Sequence, residues 1–199
     1  MFSNLGMLEN RPSPVWVLLF FSLFIVLPRN AELGRQVEED AQKVLEIIDR
    51  IQNDKSPASG GTMRTEVVSE RELNAYIVYL IETEREETLK ELRLKLLPRN
   101  KVEGKIFIDL SSRRIPGFLK SQMNIYFAGT LETEGPKVRV LVESLYLEEQ
   151  RIQTALLDML IAVISQFEQK EAVRIEDWFD LPYGIRRLET RRGELVVFY

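Results

Sequence analysis

The chain has 199 residues, enough for one ordinary domain with an appendage, and its 45% apolar and 29% charged side chains make a folding composition, neither disordered nor collagenous. It contains no Cys and no His, which removes disulfide staples, thiolate and imidazole metal ligation, a cysteine nucleophile, a lipidated-Cys anchor and imidazole general-base catalysis. A net charge of −4 gives no general attraction to nucleic acid, so no nucleic-acid partner is expected.

Val15 to Leu27 (VWVLLFFSLFIVL) is a run of thirteen residues in which only Ser22 is polar, flanked by Pro14 and Pro28. A helix needs about 20 apolar residues to cross a bilayer core, and a run this short reads as a signal-peptide core, a short anchor or a buried segment. Arg29 stands where a cleavage site before Ala31 wants a small residue. Residues 1–31 are therefore read as a targeting segment that can stay uncleaved as a membrane anchor. Arg29, Arg35 and Lys43 follow it, so the distribution of positive charge does not decide orientation.

From 32 to 54 the spacing predicts an amphipathic helix. Val37, Ala41, Val44, Ile48 and Ile51 recur at steps of 4, 3, 4 and 3, leaving one apolar stripe. It reads as a packed or membrane-proximal stalk helix, with self-association through a coiled-coil seam as the alternative. Residues 55–62 (KSPASGGT) form a linker, and residues 63–199 a single domain.

Within that domain, Ser69-Glu70-Arg71-Glu72 is a capping box opening a helix that carries Leu73, Tyr76, Ile77 and Leu80. The rhythm then changes to period two. Leu92, Leu94 and Leu96 alternate with Arg93 and Lys95, Pro98-Arg99-Asn100 turns the chain, and Val102–Leu110 returns. A second hairpin runs from Asn124–Glu132 through Glu134-Gly135-Pro136 to Val138, Val140 and Val142. A helix over about 149–168 follows, then a last hairpin, Ile185–Thr190 and Leu195–Tyr199. The expected fold is α+β: a curled antiparallel meander sheet of about six strands packed on two helices, preceded by the hydrophobic segment and the stalk helix.

Ala155–Phe167 (ALLDMLIAVISQF) carries more apolar surface than a helix on one sheet needs. Ala155, Leu156, Met159, Leu160 and Val163 form one face, and Leu157, Ile161 and Ile164 extend it round the wheel. Two covered flanks are expected, the second taken by protein, by an apolar ligand, or by a dimer or membrane contact. Basic residues at 113–114, 186–187, 191–192 and along 93–105 read as exposed strand faces and edges, with lipid headgroups as the alternative. No pair of carboxylates, Ser-Lys arrangement or calcium loop assembles a catalytic or metal site, so neither enzyme activity, a metal nor a cofactor is expected.

Three segments together carry a resemblance. Val67-Val68-Ser69-Glu70-Arg71-Glu72-Leu73-Asn74-Ala75-Tyr76 is similar to the helix opening of small extracytoplasmic bacterial domains related to the tubular lipid-binding (TULIP) superfamily. The meander follows as in that family, and the ending 179–197, with Leu181-Pro182-Tyr183-Gly184-Ile185 and Gly193-Glu194-Leu195, resembles its closing hairpin. The resemblance spans residues 63–199. It implies a curled sheet wrapped on a helix, with an apolar groove between them and an N-terminal membrane anchor. Unlike many such domains, this chain has no Cys to lipidate.

The functional expectation is a membrane-anchored extracytoplasmic domain, periplasmic or at the cell surface. It would hold lipid or another apolar ligand in a groove between sheet and helix lined by Phe127, Leu131, Val140, Leu156, Leu160 and Ile164. The alternative is a non-catalytic assembly module of the cell envelope that binds a protein partner.

Overall fold

A computed structural model describes residues 34–53, 63–84, 87–113, 117, 120–167, 172–182 and 184–199. The targeting segment 1–31, with its apolar run 15–27, and the whole linker 55–62 lie outside the described residues. Among the described residues, no helix is long and apolar enough to cross a membrane.

The chain forms helix α1 (Arg35–Asn53), strand β1 (Thr65–Ser69), helix α2 (Glu70–Thr83), strands β2 (Leu89–Leu96), β3 (Lys101–Asp109), β4 (Gln122–Glu134), β5 (Lys137–Leu147) and β6 (Gln150–Arg151), helix α3 (Thr154–Phe167), and strands β7 (Phe179–Asp180), β8 (Arg187–Arg191) and β9 (Glu194–Phe198). Among the described residues the fold is α+β, with a curled antiparallel half-barrel sheet and three helices. The half-barrel has strand order β2-β3-β4-β5-β6, with β7 also paired to β5. The sequence predicts one curled sheet, and this needs correction: the closing hairpin does not extend the meander. Instead β8 and β9 join β1 in a separate three-stranded sheet, order β1-β9-β8, because the extended piece before the capping box pairs with β9 from Thr65↔Phe198 to Ser69↔Glu194.

Period-two burial builds the half-barrel. In β2 the buried residues are Leu89, Leu92, Leu94 and Leu96, and in β3 Val102, Gly104, Ile106 and Ile108. Along β5 the inward series starts at Val138 and Val140 and resumes at Leu145. The shift of phase comes from a bulge: Ala128 faces Ser144 while Gly129 faces Val142, which leaves Glu143 as the extra residue. A Cβ at Gly129 would run into the Leu141 carbonyl oxygen, so the close approach at this bulge demands glycine. Glu143 accepts from the Thr130 hydroxyl (2.6 Å) and from Lys101 (2.9 Å), and these hydrogen bonds hold its carboxyl below the usual glutamate range.

Two clusters of buried side chains fill the inward side. One joins α3 and Ile77 of α2 to Leu92, Leu94, Ile106, Ile108, Ile125 and Leu145 of the half-barrel. The other joins α1 and Tyr76 of α2 to Leu96, Val102, Leu131, Val138, Val140 and Val197. The stripe of α1 buries Ala41, Val44, Ile47, Ile48 and Ile51 in this second cluster, and the helix packs on the body.

The N-terminus of α2 has the capping box that the sequence predicts. The Glu72 amide donates to the Ser69 hydroxyl (3.2 Å), and the Ser69 amide donates to the Glu72 carboxylate (2.9 Å). The same turn of helix also closes the free edge of β2. The Asn74 side chain donates to the Leu94 carbonyl (2.7 Å) and accepts from the Leu94 amide (2.7 Å), while the Glu70 carboxylate accepts from the Leu96 amide (2.7 Å). Two polar side chains thus take the place of a neighbouring strand.

The two sheets are tied together at the β2–β3 turn, where Arg99 and Asn100 both have positive φ, at 63° and 60°. The buried Thr190 hydroxyl donates to the Leu97 carbonyl (2.7 Å), and the Thr190 amide donates to the Asn100 side chain (3.0 Å).

Candidate functional site

Beneath α1 lies an apolar cavity of about 100 Å³. Its roof is Val44, Ile47, Ile48 and Ile51 of α1. Its walls come from Leu73, Tyr76 and Ile77 of α2, Leu94, Leu96, Val102 and Leu131 of the half-barrel, and Val68, Leu188, Leu195 and Val197 of the smaller sheet. Leu181, Pro182 and Ile185 close one end. The polar groups of the lining belong to Thr190, whose hydroxyl donates to Leu97, and to the Tyr76 phenol. A cavity lined this way stays dry and accepts apolar molecules, since water entering it would find too few partners.

The roof is held by a charged latch as well as by its stripe. Asp40, only 3% exposed, sits in a fork of Arg71, with Nε at 3.0 Å and an Nη at 3.1 Å. Lys43 bridges Asp40 (3.3 Å) and Glu72 (3.3 Å), and at the other end Arg50 meets Glu66 (3.2 Å). Hydrogen bonds to Asp40 and Glu72 raise the Lys43 ammonium above its ordinary value. Burial pushes the Glu72 carboxyl up, but hydrogen bonds from the Ser69 amide, the Ser69 hydroxyl and Lys43 outweigh it and hold Glu72 below the usual glutamate range.

A carboxyl lowered in the folded state contributes stability that is complete above its unfolded value, about 4.3, and that is lost as pH falls through the folded value. The melting temperature should be flat above about pH 5 and drop below about pH 4. Glu72→Gln should melt lower at neutral pH and lose less on acidification. An acid limb unchanged in Glu72→Gln would show that this carboxylate carries none of it.

The residues expected to line a groove are not brought together as one lining. Leu131 lines the cavity, and Val140 lies in the cluster around it. Phe127 is half-buried, packs against both clusters, and lays its ring over Gly104, where a Cβ would collide with it. Leu160 and Ile164 are buried in the other cluster, with Leu157 and Ile161. Leu156 stands 36% exposed. The expectation of two covered flanks on the 155–167 helix therefore needs correction. The sheet-facing flank is Leu157, Leu160, Ile161 and Ile164, and the opposite flank, with Leu156 and Met159 (39%), faces solvent. The cavity is beside α1, not beside α3.

Sequence reasoning missed the roof. The stripe of Val44, Ile48 and Ile51 was read as that of a packed or membrane-proximal stalk helix, and what it packs over is not written in its spacing. No protein-family model matches the chain, and no curated protein matches it. Among the described residues, no group of three or more carboxylates is placed to hold a metal ion.

Proposed function

We propose that this chain is a membrane-anchored, extracytoplasmic domain that binds an apolar ligand, lipid-like in chemistry, beneath α1. The observation that carries the reading is the cavity itself: an apolar void roofed by one helix whose stripe is shared between packing and lining. A ring or a short aliphatic group fits the void as it stands. A longer acyl chain fits only with Val44, Ile47, Ile48 and Ile51 drawn back from their seats. Each methylene buried there contributes about 0.8 kcal/mol, so a chain of ordinary length can offset the lost helix contacts. The resemblance of residues 63–199 to tubular lipid-binding domains and the apolar run 15–27 support the same reading.

A second reading, a non-catalytic envelope module that holds a protein partner, is favoured by one observation. The outer flank of α3 is uncharged and apolar over Ala155, Leu156, Met159 and Ala162, all exposed.

The test is binding of a fluorescent fatty acid to the full chain and to Val44→Phe, which pushes a ring into the void. Wild type should bind and Val44→Phe should bind at least about tenfold more weakly, a difference of about 1.4 kcal/mol. Because the ring fills empty space, the melting temperature should change by only a few degrees, within about 1 kcal/mol. Equal binding by both proteins would place the ligand elsewhere.

A further inference from the structure

We infer that the outward face of the half-barrel binds a linear, sparsely charged anionic oligosaccharide, along a row that takes one residue from each of five strands. The ladder register sets that row. Arg93 of β2 pairs with Lys105 of β3, Lys105 with Tyr126 of β4, Tyr126 with Tyr146 of β5, and Tyr146 with Arg151 of β6. Directly paired residues share a face, so the five side chains line up across the strands over roughly 19 Å, four interstrand steps of about 4.8 Å. The inference does not rest on the cavity beneath α1, which lies on the other side of the sheet.

Three features of the row point to its occupant. The tyrosines are adjacent and unusually open, Tyr126 at 42% and Tyr146 at 39% exposed. Beside them Ala128 and Ser144, also paired, are small and leave a groove of about 440 Å³, within the range of ligand clefts. The lysines nearest the row are neutralised, Lys105 by Glu91 (2.7 Å), Lys95 by Glu103 (3.0 Å) and Lys101 by Glu143 (2.9 Å). Arg93 and Arg151, at the two ends, make no ion pair among the described residues. Within the row, free positive charge is therefore confined to the two ends of an aromatic strip.

Charge arrangement selects among anionic partners. Glu91 flanks the row on one side, and Glu103 and Glu143 on the other. A planar anionic surface would meet those carboxylates together with the arginines. A single-stranded nucleic acid carries a charge on every nucleotide and would leave most of them unmatched between the two arginines. A linear glycan bearing carboxylates at intervals fits better. The apolar face of a sugar ring packs on each tyrosine, whose phenol and the Ser144 hydroxyl reach sugar hydroxyls, and a guanidinium takes a carboxylate in a two-pronged contact.

The test is titration calorimetry of the full chain with a linear uronate oligosaccharide in which glucuronic acid alternates with N-acetylglucosamine, so that an uncharged ring separates its carboxylates, compared with an uncharged glucose hexamer, a single-stranded thymidine decamer and phosphatidylglycerol vesicles. The uronate should bind, weaken with added salt, and exceed the glucose hexamer by about tenfold. Tyr146→Ala and Arg93→Gln should each weaken it about five- to tenfold. Both side chains are exposed, so the melting temperature should stay put. Lys137→Gln removes the same charge from an exposed position off the row and should change nothing. No binding of the uronate, an equal loss in Lys137→Gln, or tighter binding of the decamer or the vesicles would each overturn the proposal.

Discussion

Asn74→Leu should lower stability by about 2–5 kcal/mol, because the change orphans both backbone groups of the buried Leu94. The Asn74 amide donates to the Glu70 carbonyl (2.8 Å) and the Leu94 carbonyl (2.7 Å), and its oxygen accepts from the Leu94 amide (2.7 Å). Leu has nearly the same shape, so the packing survives while Leu94 loses both of its partners. In a chain of this size each kcal/mol moves the melting temperature by about 2–4 °C, which puts the fall at roughly 4–20 °C. Urea denaturation monitored by far-ultraviolet circular dichroism gives the free energy directly. A loss below about 1 kcal/mol would mean that water satisfies the edge of β2 and that Asn74 is not its closing residue.

Ile161→Ala against Leu156→Ala is the second large contrast. Ile161 is fully buried among Ile106, Ile108, Ile125 and Leu145, so truncation leaves a cavity and should cost about 2–5 kcal/mol. Leu156, on the far side of α3, is 36% exposed and should cost less than about 1 kcal/mol. The reverse order would turn α3 round on the sheet.

These two positions also show how far the sequence carries. The capping box was legible because its partners are three residues apart. Strands β2 and β3 were legible from alternation, down to the turn at Arg99 and Asn100, whereas the two-residue strands β6 and β7 were not. What local pattern cannot supply is the identity of distant partners. Nothing near Asn74 in sequence says that its amide serves Leu94, twenty residues on, or that the segment 65–69 pairs with β9 and so takes the closing hairpin out of the meander. The facing of α3 was ambiguous because apolar side chains run well round the wheel. Leu157, Leu160, Ile161 and Ile164 form a complete i, i+3, i+4, i+7 set of large aliphatic side chains, and that set is the one buried. The candidate site was only partly legible, through Leu131, since a cavity is a residue of packing between elements and leaves no periodic trace.

The latch on α1 connects this packing to the proposed activity. Asp40 and Lys43 hold the first half of the helix to Arg71 and Glu72, while Val44, Ile47, Ile48 and Ile51 roof the void further along. Under the proposed function, ligand entry and helix docking would compete for the same apolar walls, and a ligand that moved the stripe would draw on the same free energy that seats it.

Mass spectrometry of the full chain, released intact from detergent after purification from membranes, tests most directly whether an apolar molecule lives beneath α1. One lipid-like adduct per chain is expected on wild type, absent from Val44→Phe. A bare wild-type chain, or an adduct that Val44→Phe retains in full, would contradict it.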